Sequence, residues 1–184
     1  MTRVWLIRHA ESTGVAGFAN GATDSPLSDR GREQAGRLAA TLSDRPLMRI
    51  LSSDRVRALA TAEMVARSHG LVVEPTPALR EIDFGAWEGR SLSDLWSEEP
   101  LAAKAWTDDI RSTPASFGES VDDLERRVAI FWVSILPLPR SGEIALVGHH
   151  GSLAVLRTVI TGEPVADAFA AGLDLGGAVA LEVT

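Results

Sequence analysis

Four apolar residues near the N-terminus, Val4-Trp5-Leu6-Ile7, run directly into Arg8-His9. An unbroken apolar run of this length predicts a strand buried on both faces, as in the middle of a parallel sheet. Arg8 and His9 then fall at its carboxyl end, the edge where open α/β sheets bind ligands. A cation and an imidazole are delivered together to that crevice. The plainer alternative is a strand that stops at two surface polar residues, and the rest of the chain has to decide between them.

The remaining pattern alternates strand with helix. Residues 13–27 are small and polar and read as a loop, ended by Pro26-Leu27-Ser28. Ser28 is an N-cap for a helix whose Ala35, Leu38, Ala39 and Leu42 share one face. Met48-Arg49-Ile50-Leu51 is a second strand. The helix after it takes its cap from Ser53 or Asp54, aligns Ala58, Ala62 and Val65, and stops at Gly70. Arg57 lies in its first turn. With the first two strands as parallel neighbours and a right-handed crossover between them, Arg57 reaches the edge that carries Arg8 and His9.

Residues 71–74 form a short third strand, and 79–89 an irregular segment mixing acids, aromatics and glycines. Residues 92–106 read as short helices broken at Pro100, and 111–118 as an exposed stretch. Ser120 caps a helix striped with Val121, Leu124, Val128, Phe131 and Ile135. Glu143 to Gly148 is a fourth strand running into His149-His150-Gly151. A helix to Gly162 and an edge strand at 178–183 close the chain. This alternation predicts one α/β domain over residues 1–184 around a mainly parallel sheet.

Composition narrows the partners. A net charge of −7 argues against nucleic acid or an anionic membrane as a general partner. There is no cysteine, which removes disulfides and thiolate chemistry and fits a reducing cytoplasm. Arg8 and His9 interrupt the only early apolar run, so no secretory leader is expected, and no run reaches the roughly 20 residues of a membrane span.

Two of the four histidines, His9 and His149, follow apolar strands. If both strands are central and parallel, the imidazoles face one another with Arg8 and Arg57 beside them. Guanidinium groups suit a dianionic phosphoryl group, because they are planar, always charged and bond oxygens in pairs. A neutral imidazole can attack phosphorus, and neighbouring arginines keep it neutral. The departing alkoxide then needs a proton from a carboxylic acid; Glu81, Asp83 and Glu11 are candidates. Taken alone, Arg57 reads better as the surface partner of Asp54. No HxxxH, CxxC or DxD array supports a metal, and no cofactor is called for.

Six segments, in order, resemble the histidine phosphatase superfamily, also called phosphoglycerate-mutase-like. They are Arg8-His9-Ala10-Glu11; Pro26-Leu27-Ser28 with Gly31, Gln34 and Ala35; and Ser52-Ser53 with Arg57-Ala58 and Thr61-Ala62. Leu79 and Glu81 with Phe84-Gly85, Trp87-Glu88-Gly89 follow, then Gly118-Glu119-Ser120 and Val147-Gly148-His149-His150-Gly151. The resemblance implies a three-layer α/β/α sandwich and a metal-independent reaction. It implies His9 as the phosphorylated nucleophile, Arg8, Arg57 and His149 as phosphoryl-holding groups, and Glu81 as the proton donor. Only the resemblance selects Glu81 over Asp83 and Glu11.

There are departures. Ala10 stands where the family has Gly, and Thr13-Gly14-Val15-Ala16 lacks the usual Trp-Asn, so Asn20 is the substitute expected to reach phosphate. His150 is unusual and is expected to read the substrate beyond its phosphate. The Phe84-to-Glu88 run resembles α-ribazole phosphatases, which implies α-ribazole 5'-phosphate as substrate. The alternatives are a phosphoglycerate mutase and a non-catalytic phosphate- or nucleotide-binding regulator. A homodimer is compatible with each.

The segment 84–117 is expected to roof the site. Its acids Glu88, Asp94, Glu98, Glu99, Asp108 and Asp109 outnumber its bases Arg90, Lys104 and Arg111 six to three. That balance favours a bulky, weakly charged leaving group such as a nucleoside over a small multiply charged acid.

Overall fold

In the computed structural model, which describes residues 2–14, 17–139 and 141–183, the opening apolar run is strand β1 (Thr2–Arg8). Helix α1 (Asp29–Leu42) follows, with the Ser28 hydroxyl accepting from the Gly31 amide as an N-cap does. Then come β2 (Leu47–Ser53), α2 (Val56–His69) and β3 (Val73–Thr76). After single 3-10 turns at 77–79 and 85–87 come α3 (Leu92–Glu98), α4 (Pro100–Asp108) and α5 (Val121–Ser134). The chain closes with β4 (Glu143–Gly148), α6 (His150–Thr161), α7 (Val165–Ala170) and β5 (Ala178–Val183).

The strands form one sheet in the order β3-β2-β4-β1-β5, parallel except for β5 at the edge. The expectation that β1 and β2 are neighbours is corrected here, because β4 lies between them. The burial of β4 explains its place: Glu143 to Gly148 is buried at every position, which requires a strand on each side and a helix layer on each face. The third strand begins two residues later than expected and carries Pro75, which an outermost strand tolerates. Helix α7 was not anticipated; at six residues it has too few turns to show a period.

Alternate residues separate two cores. Leu6 and Leu146 face α5 and α6, against Leu124, Val128, Phe131, Val155 and Leu156. Ile7, Ile50 and Val147 face α1 and α2, against Leu38, Leu42, Ala58, Ala62 and Val65. The result is the three-layer α/β/α sandwich. In register, Arg8 lies opposite Gly148, so the residues that follow each strand, His9 and His149, emerge side by side. Ser53 ends β2 one strand further along.

Candidate active site

His9 is buried at the carboxyl end of β1, its amide bonded to the Gly148 carbonyl and its own carbonyl to the Gly176 amide. Strand β4 on one side and the turn before β5 on the other therefore hold its backbone. The ring Nδ1 lies 2.8 Å from the Ala10 carbonyl oxygen. A carbonyl can only accept, so Nδ1 carries the proton and Nε2 presents a lone pair. Burial, reinforced by the Arg57 and Arg8 charges, pushes the imidazole down to about 4 and keeps it neutral near pH 7. The Ala10 amide donates to the Thr61 hydroxyl at 3.0 Å, and that hydroxyl donates to the Arg57 carbonyl at 2.8 Å. The turn after the histidine is thus tied to the first turn of α2.

His149 is almost wholly buried, its ring centroid 4.8 Å from that of His9. Its Nε2 is 2.9 Å from the Ser53 hydroxyl, which also accepts from the Arg55 amide. Its Nδ1 is buried with no protein partner. Burial, with the charges around it, holds the ring well below the usual imidazole range. The Ser53 bond fixes the orientation of the ring beside His9.

Arg57 is buried and donates to the carbonyls of Thr23 (2.7 Å), Gly21 (3.2 Å) and Asn20 (3.3 Å), with Asp24 at 3.7 Å. The surface pair with Asp54 is corrected: Asp54 is taken by Arg80. The cap of α2 is corrected with it. Neither Ser53 nor Asp54 caps the helix; the Asp24 carboxylate, from a distant loop, accepts the Val56 amide at 3.0 Å. Asn20 enters through its backbone carbonyl on Arg57. Val15 and Ala16, where the loop departs from the family pattern, lie outside the described residues.

The 21–23 loop is itself held by Glu88. One carboxylate accepts from the amides of Gly21 (3.0 Å), Ala22 (2.6 Å) and Thr23 (3.0 Å), and from the Thr23 hydroxyl (3.0 Å). A side chain on Gly21 would strike the Ile82 carbonyl, so only glycine fits there. Glu88 therefore positions Arg57 through three amides, a role the sequence reading did not assign.

Arg8 donates to the Leu173 carbonyl at 2.8 Å, leaving its buried Nε without a partner. The three candidate acids separate cleanly. Glu11 accepts from the Ser28 hydroxyl at 2.6 Å and faces Arg30, holding the start of α1. Asp83 is exposed and accepts from the Gly85 amide at 2.7 Å, shaping a turn. Glu81 lies on the Gly151 amide at 3.0 and 3.1 Å, in the first turn of α6 beside His149. A Cβ on Gly151 would stand 2.4 Å from its carboxylate, so the glycine is what admits the acid. His150 stacks edge-on against Phe169 at 5.6 Å, with its Nδ1 buried and unpartnered. Among the described residues no three His, Cys, Asp or Glu side chains converge as a metal-binding set.

Most of the charges counted over 84–117 are engaged within the protein. Arg90 pairs with Glu98 and Glu99, Lys104 with Asp108, and Arg111 with Asp122 and Glu125 on α5. Glu88 is consumed by amides. These charges stabilise the segment itself and do not describe what a substrate meets.

Two strand-end histidines stand beside the guanidiniums of buried Arg57 and half-buried Arg8, an arrangement that suits a phosphoryl group. The family model of the histidine phosphatase superfamily (branch 1) matches residues 4–184. The chain belongs to that superfamily. This histidine phosphatase is similar to a probable phosphoglycerate mutase GpmB of Erwinia tasmaniensis, at 32% identity over 165 residues, 89% of this chain and 77% of the relative. Among solved structures it is similar to the α-ribazole phosphatase of Shigella flexneri (32% identity, TM-score 0.92, covering 100% and 91% of the two chains). It is likewise similar to a mycobacterial glucosyl-3-phosphoglycerate phosphatase (30% identity, TM-score 0.86, covering 97% and 89%). Among the described residues no helix is long and apolar enough to cross a membrane.

Proposed function

We propose that this histidine phosphatase hydrolyses a small-molecule phosphate monoester through a phosphohistidine at His9. One observation carries the reading: the Ala10 carbonyl fixes the His9 proton on Nδ1, in a neutral ring whose Nε2 is left free. In the first step the Nε2 lone pair forms the bond to phosphorus, and the phosphorus–ester oxygen bond breaks. The electron pair leaves with the alcohol oxygen, which takes a proton from the Glu81 carboxyl. Arg8, Arg57 and His149 hold the phosphoryl oxygens, where most of the stabilisation is needed. In the second step water attacks phosphorus, Glu81 takes a proton from it, and the N–P bond returns its electrons to His9.

The whole of 1–184 acts as one phosphatase domain, with 84–117 as the cover over the site. α-Ribazole 5'-phosphate is the first ester to assay, given the Shigella flexneri neighbour, and glucosyl-3-phosphoglycerate the second. The name of the Erwinia tasmaniensis relative keeps one rival, isomerisation of phosphoglycerates. Incubation of the purified protein with 3-phosphoglycerate distinguishes them: hydrolysis gives steady inorganic phosphate without 2-phosphoglycerate. Isomer exchange faster than phosphate release would replace the phosphatase reading with the mutase.

A further inference from the structure

Glu81 has a second side. It walls a cavity of about 190 Å³ that Arg55, Arg80, Asp83, Ala22 and Pro77 also line. Ala22 belongs to the loop that grips Arg57, so cavity and phosphoryl site share two walls. Two of the guanidiniums on it, those of Arg80 and Arg127, are neutralised by Asp54 and Glu119. The acids are engaged too: Asp83 by the Gly85 amide, Glu81 by the Gly151 amide and Glu119 by Arg127.

Arg55 differs from all of these. Its side chain makes no hydrogen bond or ion pair with any described residue, and its Nε is buried without an acceptor. Of the three guanidiniums that line the cavity it is the one with no carboxylate within ion-pair distance, so its charge is left unpaired there.

We propose that this cavity receives the alcohol half of the ester, and that Arg55 is a specificity-determining residue that binds a second anionic group, a carboxylate, on that alcohol. The inference rests on the phosphatase reading for its geometry. The oxygen that Glu81 protonates is the one through which the alcohol is attached, so the alcohol lies on the Glu81 side. The unpaired cation on that side is Arg55. A guanidinium fork matches a carboxylate through two parallel N–H bonds, and the volume holds several water molecules at roughly 30 Å³ each, enough for a carboxylate and its neighbouring carbons. An uncharged nucleoside would leave the Arg55 donors unmet, so the inference separates the two ester classes named above.

The test is a binding comparison in a His9→Ala background, which prevents turnover during titration. Two matched pairs of probes are used: 3-phosphoglycerate against glycerol 3-phosphate, and 6-phosphogluconate against sorbitol 6-phosphate. The two lengths cover the reach from the phosphate to Arg55. The carboxylated member of at least one pair should bind ten times more tightly or better. That margin should collapse when Arg55→Leu is added and persist in part with Arg55→Lys. No margin in either pair, or a margin that survives Arg55→Leu, overturns the inference. Hydrolysis of p-nitrophenyl phosphate by the unmodified protein is scored separately. A binding margin that depends on Arg55, without phosphate release from any ester, would uphold Arg55 and sink the phosphatase reading.

Discussion

The sheet edge that carries His9 and the 84–117 segment near it are built in different ways. The edge is held by main-chain bonds from β4 and the turn before β5, over a core of sixteen buried apolar residues that includes Leu6, Leu146 and Leu156. The segment rests on a separate cluster of four, Ala19, Trp87, Leu95 and Ala115, and leaves Leu101 85% and Phe117 97% exposed. Chemistry sits where the backbone is over-determined. The segment has few buried contacts to lose and so can open or vary without disturbing the nucleophile. Glu88 links the segment to the site: it leaves the segment to clamp the 21–23 loop beneath Arg57.

The most damaging change on the rigid side is His9→Ala. Among the described residues no other side chain stands in the place of the His9 Nε2, so turnover should fall by about 10⁴-fold or more. An acid-labile, base-stable phosphoenzyme, trapped in the unmodified protein, should vanish. Full activity in the variant would end the mechanism.

Next is Glu81→Gln, which should cost about 10²- to 10³-fold on alkyl phosphates. Aryl phosphates should suffer far less, because a phenolate departs with little help. A ratio of p-nitrophenyl to alkyl activity that does not move would return the acid role to Asp83 or Glu11. Gly151→Ala should reproduce the same selectivity, since the added methyl group meets the Glu81 carboxylate.

The contrast in packing is sharpened by two truncations. Leu146→Ala removes a wholly buried side chain from the sheet and should cost about 2–5 kcal/mol of global stability. That corresponds to a fall in Tm of several degrees, at about 2–4 °C per kcal/mol for a chain of this size. Trp87→Ala should instead raise proteolysis within 88–117 and KM, with sheet amides still protected from hydrogen exchange. Equal loss of protection in both regions would show one cooperative unit.

A smaller effect is expected from pH. An imidazole titrates near 6.5 in the unfolded chain and at about 4 at His9 in the native one. Between those values the unfolded state binds the additional proton, so stability rises with pH across the window and falls on acidification. His9→Gln should weaken that dependence, with His149, also held below the usual range, keeping part of it. A His9 resonance that titrates near 6.5 by NMR would remove the argument for a neutral nucleophile. The smallest effect expected is from chelation: EDTA should leave turnover unchanged, because Arg8, Arg57 and His149 already supply the donors and positive charge. Loss restored by a divalent ion would overturn that assignment.

Much of the frame was legible in the residues. The unbroken apolar runs before His9 and His149 marked two central strands, and Ser28, Ser120, Gly70 and Gly162 punctuated helices as expected. These signals are local, carried by periodicity and by caps a few residues apart. The acid remained open by residue type alone, because Glu11, Asp83 and Glu81 are indistinguishable until their partners are known. Tertiary structure decided the rest. It inserted β4 between β1 and β2, which set the two imidazoles 4.8 Å apart. It capped α2 with Asp24, a residue 32 positions from the amide it accepts, and assigned Glu88 to loop amides more than 60 positions away. It also emptied the charge count over 84–117 of meaning by pairing those charges with one another and with α5. A charge read along the chain carries a sign but no partner, and only the folded chain decides that, of the guanidiniums lining the Glu81 cavity, Arg80 and Arg127 are paired and Arg55 is not.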